Sequence, residues 1–326
     1  PDTWEKMRDI LVFWANKKVD GFRCDVAEMV PVEFWNWVIP QVKEVNPVIL
    51  FIAEIYNPAA YGNYITNGRV DYLYEKVKLY DNLRFLIDKK RSTADIRAIQ
   101  QSLKGITQNM LHFLENHDEQ RLASSFFAGN PWRAVPAMTI SATIDEGAVM
   151  IYFAQEVGEP GKGSEGFSGE DGRTTIFDYW GVPEHQKWVN GGKFNDSLLS
   201  EPQKRLRNYY KTLLNLAQQN QAITKGAYAD LTEYNIGLKN FNEQVHVFVR
   251  YDGDEKLIIV NSFNDTPVSV KVALPSDVLE ALQIKADSTY TLNDVLWKET
   301  SLPLQQGSVT LALKPYSSFI FKLQQP

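Results

Sequence analysis

Short apolar runs recur along the first half of this chain, separated by stretches with helical spacing. This alternation limits the fold more than any other feature. Val48 to Ile52, Met110 to Leu114 and Ala148 to Phe153 are such runs, and Val19 to Asp25 and Val70 to Tyr74 read as shorter strands. A continuous apolar run is what a strand buried on both faces requires. Trp4, Met7, Leu11 and Trp14 recur three and four residues apart, which lays an apolar face on a helix reaching Lys17. Pro31 suits the first turn of a second helix with Phe34, Trp35 and Val38 on its apolar face, and Pro40 is expected to kink or divide that helix. Further helical patterns run on to Leu103, from Pro131 to Glu146, and from Glu201 to Gln219. Strands alternating with helices give βα units and a parallel sheet. Five strands are expected, near residues 20, 50, 72, 112 and 150.

Residues 157–200 are rich in Gly, Asp and Ser and read as a long loop region. Gly161, Gly163, Gly166 and Gly169 do not follow a strand and open a helix as a phosphate-binding loop must, so they read as a flexible loop. After Gln221 the pattern changes. Val245 to Tyr251, Lys256 to Val260, Val268 to Leu274 and Ser308 to Leu313 alternate or run apolar, with Asp252-Gly253-Asp254 as a turn signal. That pattern predicts a sandwich of antiparallel strands. The expected organisation is α/β over residues 1–220 and all-β over residues 221–326.

Composition removes several function classes. The net charge is −6 and no basic stripe is present, which argues against nucleic-acid binding. No apolar run is long enough to cross a bilayer as a helix. Cys24 is the single cysteine, so neither an intrachain disulfide nor a cysteine zinc site is available. It is expected to pack in the wall or core as a small hydrophobe.

Three of the strands end in acidic residues: Gly21-Phe22-Arg23-Cys24-Asp25, Phe51-Ile52-Ala53-Glu54, and Phe113-Leu114-Glu115-Asn116-His117-Asp118. Barrels of parallel strands place their active sites at the C-terminal strand ends, so these acids are expected to converge on one cleft. Arg23 lies two residues from Asp25 on one strand and so faces the same side. A guanidinium there favours the ionised carboxyl a nucleophile needs. Glu54 rises from an apolar base beside that negative charge, which suits it to hold a proton.

These motifs resemble the α-amylase family of glycoside hydrolases. Asp20-Gly21-Phe22-Arg23-Cys24-Asp25 is similar to that family's strand-four motif, Glu54 to its strand-five general acid, and Asn116-His117-Asp118 to its strand-seven motif. Gly147 to Glu156 resembles the strand-eight segment, with Val149 and Ala154 in place of a proline and a glycine. The resemblance implies a partial (β/α)8 TIM barrel, strands four to eight, followed by the all-β sandwich domain. It implies a retaining hydrolase acting on α-1,4-linked glucans such as starch and maltooligosaccharides. Asp25 would be the nucleophile, Glu54 the general acid/base and Asp118 the stabiliser of the transition state, with Arg23 and His117 binding the sugar. Retaining enzymes need their two carboxyls about 5–5.5 Å apart. The alternatives are a transglycosylase or isomerase of the same family, a non-catalytic sugar-binding relative, or an inactive fragment.

Family members begin with three strands and an insert that have no counterpart here, so a preceding segment or a partner chain is expected to complete the barrel. Calcium-binding members supply a His soon after the strand-four Asp. Here the neighbourhood is Val26-Ala27-Glu28-Met29, so no calcium is expected at that site. Loop Asp and Glu elsewhere remain able to hold one, and no other cofactor is expected. Glu115 and Glu119 read as bystanders on the rim. Tyr56, Tyr61 and Tyr64, like Trp132, Trp180 and Trp188, fit either sugar stacking or packing, and Trp297 reads as core. The compartment is left open by the sequence.

Overall fold

Five short strands lie side by side in the order in which they occur in the chain. A computed structural model describes residues 2–163, 169–177, 181–238, 241–285 and 288–324. Gly166 and Trp180 lie outside the described residues. The first half runs α1 (Asp2–Asn16), β1 (Gly21–Cys24), α2 (Val32–Val45), β2 (Leu50–Ala53), α3 (Tyr61–Thr66) and β3 (Tyr72–Tyr74). It continues with α4 (Asp81–Ile87), α5 (Asp95–Ser102), β4 (Met110–His112), α6 (Val135–Thr143) and β5 (Ala148–Val149). The chain divides into two compact units. The first extends to Asp81 and includes Gln100–Phe113 and Gly147–Met150; the second holds Asn82–Ile99, Leu114–Glu146 and everything from Ile151 onward.

In the first unit all strand pairs are parallel and the sheet order is β1-β2-β3-β4-β5. Sheet order equal to chain order is the arrangement of a barrel wall, whereas a doubly wound sheet reverses direction at a switch point. Gly21 faces Leu50 across the β1–β2 pair, and a Cβ on it would lie 2.8 Å from the Leu50 carbonyl oxygen. The glycine that opens the first motif therefore allows β1 to approach β2.

Three expectations change here. Helix α2 is not divided at Pro40, because Phe34, Trp35, Val38, Ile39 and Val42 bury one face on both sides of it. That burial exceeds the about 3 kcal/mol a proline costs inside a helix. The run from Val48 is not buried on both faces: Val48 and Leu50 are exposed while Phe51 and Ala53 are buried. Among the described residues, nothing covers both faces at this end of the sheet. Strand β5 is two half-buried residues rather than the buried run to Phe153, since only β4 pairs with it.

The second unit carries eight antiparallel strands. They are β6 (Ala227–Asp230), β7 (Val245–Asp252), β8 (Glu255–Ser262), β9 (Val268–Ala273), β10 (Thr289–Asp294), β11 (Ser301–Gln305), β12 (Ser308–Leu313) and β13 (Ser318–Gln324). Their order is β6-β7-β8-β13-β10-β11-β12-β9. Gly253, at φ 55, takes the left-handed position in the tight β7–β8 turn. Alternate residues such as Val247, Val249, Ile258, Val260, Leu292, Leu311 and Phe321 fill the core. Residues 157–200 are not all loop, for a short helix (Pro183–Val189) lies among them. The helix Glu201–Gln219 opens with a capping box between Ser200 and Gln203.

Candidate active site

The β1–β2 ladder continues one step beyond the strands. Glu54 N–H donates to the Cys24 carbonyl and Ala27 N–H to the Glu54 carbonyl, each at 3.0 Å. Register pairs Cys24 with Ala53, so the motif's two carboxyls leave adjacent strand ends at one level. Arg23 joins them. Its Nη1 donates to Asp25 Oδ1, and its Nη2 lies 3.0 Å from Glu54 Oε1. Burial works against the Arg23 charge, but hydrogen bonds to Tyr74 and Asp25 and the nearby negative groups outweigh it, pushing the guanidinium further toward its charged form. The Tyr74 ring lies 5.4 Å from that guanidinium.

The two carboxyls stand in different surroundings. Asp25 has a side chain 74% exposed, whereas Glu54 is buried. Glu54 Oε2 accepts from Val26 N–H at 2.8 Å and Oε1 accepts from the Tyr56 hydroxyl at 2.8 Å. Val26 is a β-branched residue at φ 42 and ψ 43, a left-handed conformation that costs about 1–3 kcal/mol. That strained turn follows Asp25 directly and aims the Val26 N–H at Glu54. Glu28 accepts from Tyr56 N–H at 3.2 Å and Asn57 N–H at 3.0 Å, tying together the loops that follow β1 and β2. The Tyr64 hydroxyl donates to the Glu28 and Val30 carbonyls. Tyr61 and Tyr64 are buried and pack, whereas Tyr56 is exposed at the surface with its hydroxyl on Glu54. Cys24 is buried as expected, and that burial pushes its thiol up to about 12 against the opposing charge of Arg23.

In the second unit, Asn116 is buried and its Oδ1 accepts from Asp118 N–H at 2.8 Å and Glu119 N–H at 2.9 Å. This Asx turn presents the two residues beyond it. His117 Nε2 lies 3.2 Å from Asp118 Oδ2. Glu115 is not on the rim. It is 1% exposed, pairs with Arg121 at 2.8 Å and accepts Leu122 N–H at 2.6 Å. Burial raises its carboxyl above the usual range in spite of Arg121. Glu119 pairs with Arg84 at 3.8 Å. Trp297 packs flat on Tyr209 at 5.3 Å between centroids, and its Nε1–H donates to the Ser318 carbonyl. Arg207 stacks over Trp188 at 3.4 Å.

Arg23, Asp25 and Glu54 thus form one cluster in the first unit, and His117 and Asp118 pair within the second. Sequence reasoning did not single out Glu28, Tyr74 or Arg121. The only signal for Arg121 was its place three residues after the Asn-His-Asp motif. Among the described residues no three His, Cys, Asp or Glu side chains group as a metal ligand set. Chemically, the first cluster sets an accessible carboxylate beside a cation and next to a buried, hydrogen-bonded carboxyl. Paired carboxyls with different surroundings can divide nucleophile and acid/base roles.

Comparison with known proteins identifies the family. The family model "Alpha amylase, catalytic domain" matches residues 1–226. Alpha-amylase 3 of Dictyoglomus thermophilum is 21% identical over 344 residues, covering 99% of this chain and 62% of its own length. Neopullulanase 2 of Thermoactinomyces vulgaris is 24% identical, covering 98% of this chain and 48% of its own. The chain therefore spans about half to two thirds of the length of these relatives. The fold superposes on the crystal structure of an alpha-amylase from Geobacillus thermoleovorans complexed with acarbose, with TM-score 0.72 and 19% identity over 100% of this chain and 64% of that one. The strand-end motifs, the sheet order and a family match over more than half of its length agree, and the chain belongs to the α-amylase family of glycoside hydrolases.

Proposed function

We propose that this chain carries the catalytic carboxyls of a retaining glycoside hydrolase that cleaves α-1,4-linked glucans. One observation carries the reading: the Arg23 guanidinium joins Asp25 and Glu54 at the ends of adjacent parallel strands. Asp25 attacks the anomeric carbon as Glu54 gives a proton to the leaving glycosidic oxygen, forming a glycosyl-enzyme ester. Glu54 then takes a proton from water, which attacks the same carbon and releases Asp25. For a proton to sit on Glu54 Oε1, the Tyr56 hydroxyl must turn its hydrogen away, and a hydroxyl can accept as well as donate. Asp118 and His117 are assigned to the sugar hydroxyls and the developing positive charge by the family motif they match. The substrate is an α-glucan oligosaccharide or polysaccharide, a preceding segment or partner chain completes the barrel, and no calcium is assigned to Val26–Met29.

The test is release of reducing sugar from maltoheptaose by the full-length protein, beside Asp25→Asn and Glu54→Gln. Asp25→Asn is expected to lose about three orders of magnitude or more. Near-normal turnover of that variant refutes the nucleophile assignment. The first product should appear as the α-anomer by NMR, and a β-anomer would exclude retention. Chromatography of the products separates hydrolysis from transfer, because longer oligosaccharides than the substrate form only by transfer.

A further inference from the structure

Arg121 ties the loop that bears Asp118 to two other segments of the second unit. It is fully buried. Its Nε–H donates to Thr174 Oγ1 at 2.7 Å, and its Nη1 donates to the Phe153 carbonyl at 2.7 Å and to Glu115 Oε2 at 2.8 Å. Its own N–H donates to the Gly172 carbonyl at 2.7 Å. The rings of Tyr152 and Phe153 lie 4.3 Å and 4.7 Å from its guanidinium carbon. With Leu122 N–H also on Glu115, both ends of the 115–122 loop are fastened to one carboxylate, and Asn116, His117 and Asp118 lie between them.

The neighbouring segment is fitted as closely. Gly172 sits at φ 79, and a Cβ there would lie 2.2 Å from Ser124 Oγ. Gly161 sits at φ 58, where a Cβ would meet the Gly172 carbonyl at 2.9 Å and Arg121 Cγ at 3.2 Å. Arg173, between the two residues that Arg121 grips, is held by Asp171 and lies within electrostatic reach of Asp118 and Glu119. A buried ion pair is often no more stabilising than well-packed apolar residues, so stability alone does not account for this arrangement. A planar fork of fixed donors does serve to hold several acceptors in one geometry.

We propose that Arg121 is a positioning residue for Asp118: it fixes the Asn116–Asp118 turn against the Gly172–Thr174 segment and so sets where the Asp118 carboxylate stands. The proposal rests on the assignment of Asp118 to the sugar site. Misplacing a catalytic group by about 1 Å costs about 100-fold in rate. Arg121→Lys keeps the charge but loses the fork, and Thr174→Val removes one acceptor with little change of volume.

The experiment is a double-mutant cycle in the full-length protein. It measures kcat and KM on maltoheptaose for wild type, Arg121→Lys, Asp118→Asn and the pair, each corrected for folded fraction by circular dichroism. Arg121→Lys is expected to lower kcat about 100-fold with KM little changed. In the Asp118→Asn background it should cost almost nothing more, because a residue acting through Asp118 has nothing left to place. Losses that multiply, or kcat within twofold of wild type in Arg121→Lys, overturn the proposal. If Arg121→Lys fails to fold, Thr174→Val takes its place with the same pattern at smaller amplitude. Wild type that releases no sugar refutes the reading as a hydrolase of α-1,4-linked glucans instead. Hydrogen exchange then decides the clamp: faster exchange over residues 115–124 and 170–176 in the variant supports it, and unchanged exchange removes it.

Discussion

Arg23 Nη2 stands 3.0 Å from Glu54 Oε1, and the same guanidinium holds Asp25 through Nη1. One cation thus spaces two carboxyls that would otherwise repel each other. Lysine brings the charge but not the fork, and methionine brings neither. Arg23→Lys is expected to lower kcat by about 100-fold and Arg23→Met by about 1000-fold, in line with the loss of a donor aimed at developing charge. Steady-state kinetics of the full-length protein on maltoheptaose checks this, and equal activity of the lysine variant and wild type removes Arg23 from the site.

Much of this arrangement was legible because strands announce themselves by continuous apolar runs and their chemistry begins where the run stops. Phe51-Ile52-Ala53-Glu54 states both the strand and its acidic end. The β-domain is legible in Val245 to Tyr251, Lys256 to Val260, Val268 to Leu274 and Ser308 to Leu313, which alternate or run apolar. Strands β10 and β11 escaped because Thr-Tyr-Thr-Leu-Asn-Asp and Ser-Leu-Pro-Leu-Gln are polar on their outer face and one contains a proline. Glu115 was misread because local sequence shows an acid where an apolar run stops and says nothing of Arg121 folding back onto it. Pro40 does not divide α2 because tertiary burial on both sides of it outweighs the local rule.

The buried pair itself makes a stability prediction. Arg121 and Glu115 have side chains 0% and 1% exposed. Glu115→Gln leaves a buried guanidinium without its anion, and breaking such a pair costs about 3–5 kcal/mol. The double variant Glu115→Leu with Arg121→Met should recover only part of that loss, since it removes both charges but takes their partners from Leu122 N–H, Thr174 Oγ1 and the Phe153 carbonyl. Urea unfolding at pH 7 measures both. A Glu115→Gln midpoint indistinguishable from wild type would mean that Arg121 is satisfied without the carboxylate.

Alkaline pH should destabilise the protein through groups held neutral by burial. The Cys24 thiol moves from 9.0 to about 12, and burial raises the phenols of Tyr61, Tyr209, Tyr210 and Tyr228 above 10.0. Each folded value lies above its unfolded value, so the unfolded chain releases these protons first. The stability they contribute is complete below the unfolded values and is lost as pH rises through the folded ones. Each group contributes a slope of up to about 1.4 kcal/mol per pH unit inside its window. The urea midpoint should hold steady to about pH 9 and fall steeply beyond about pH 10. A midpoint unchanged at about pH 11 would show that these side chains meet water in the folded state.

The first unit leaves apolar surface uncovered at one end of its sheet. On α1, Met7, Ile10, Phe13 and Trp14 are 43%, 50%, 52% and 49% exposed, and Val48 before β2 and Leu50 at its start are 79% and 41% exposed. Strand β1 is an edge of the parallel sheet, with no partner on its outer side among the described residues. Exposed apolar area next to an unpaired strand edge favours association. The 326-residue chain by itself is therefore expected to self-associate, and Ile10→Lys with Phe13→Lys should reduce that association by charging the helix face. Light scattering across a concentration series reads the outcome. A chain that stays monomeric, bearing these side chains unchanged, would mean that the face is covered by the chain's own residues in solution. Association that persists in the charged variant would move the contact from α1 to the β1 edge, where a proline in place of Phe22 is the next substitution to make.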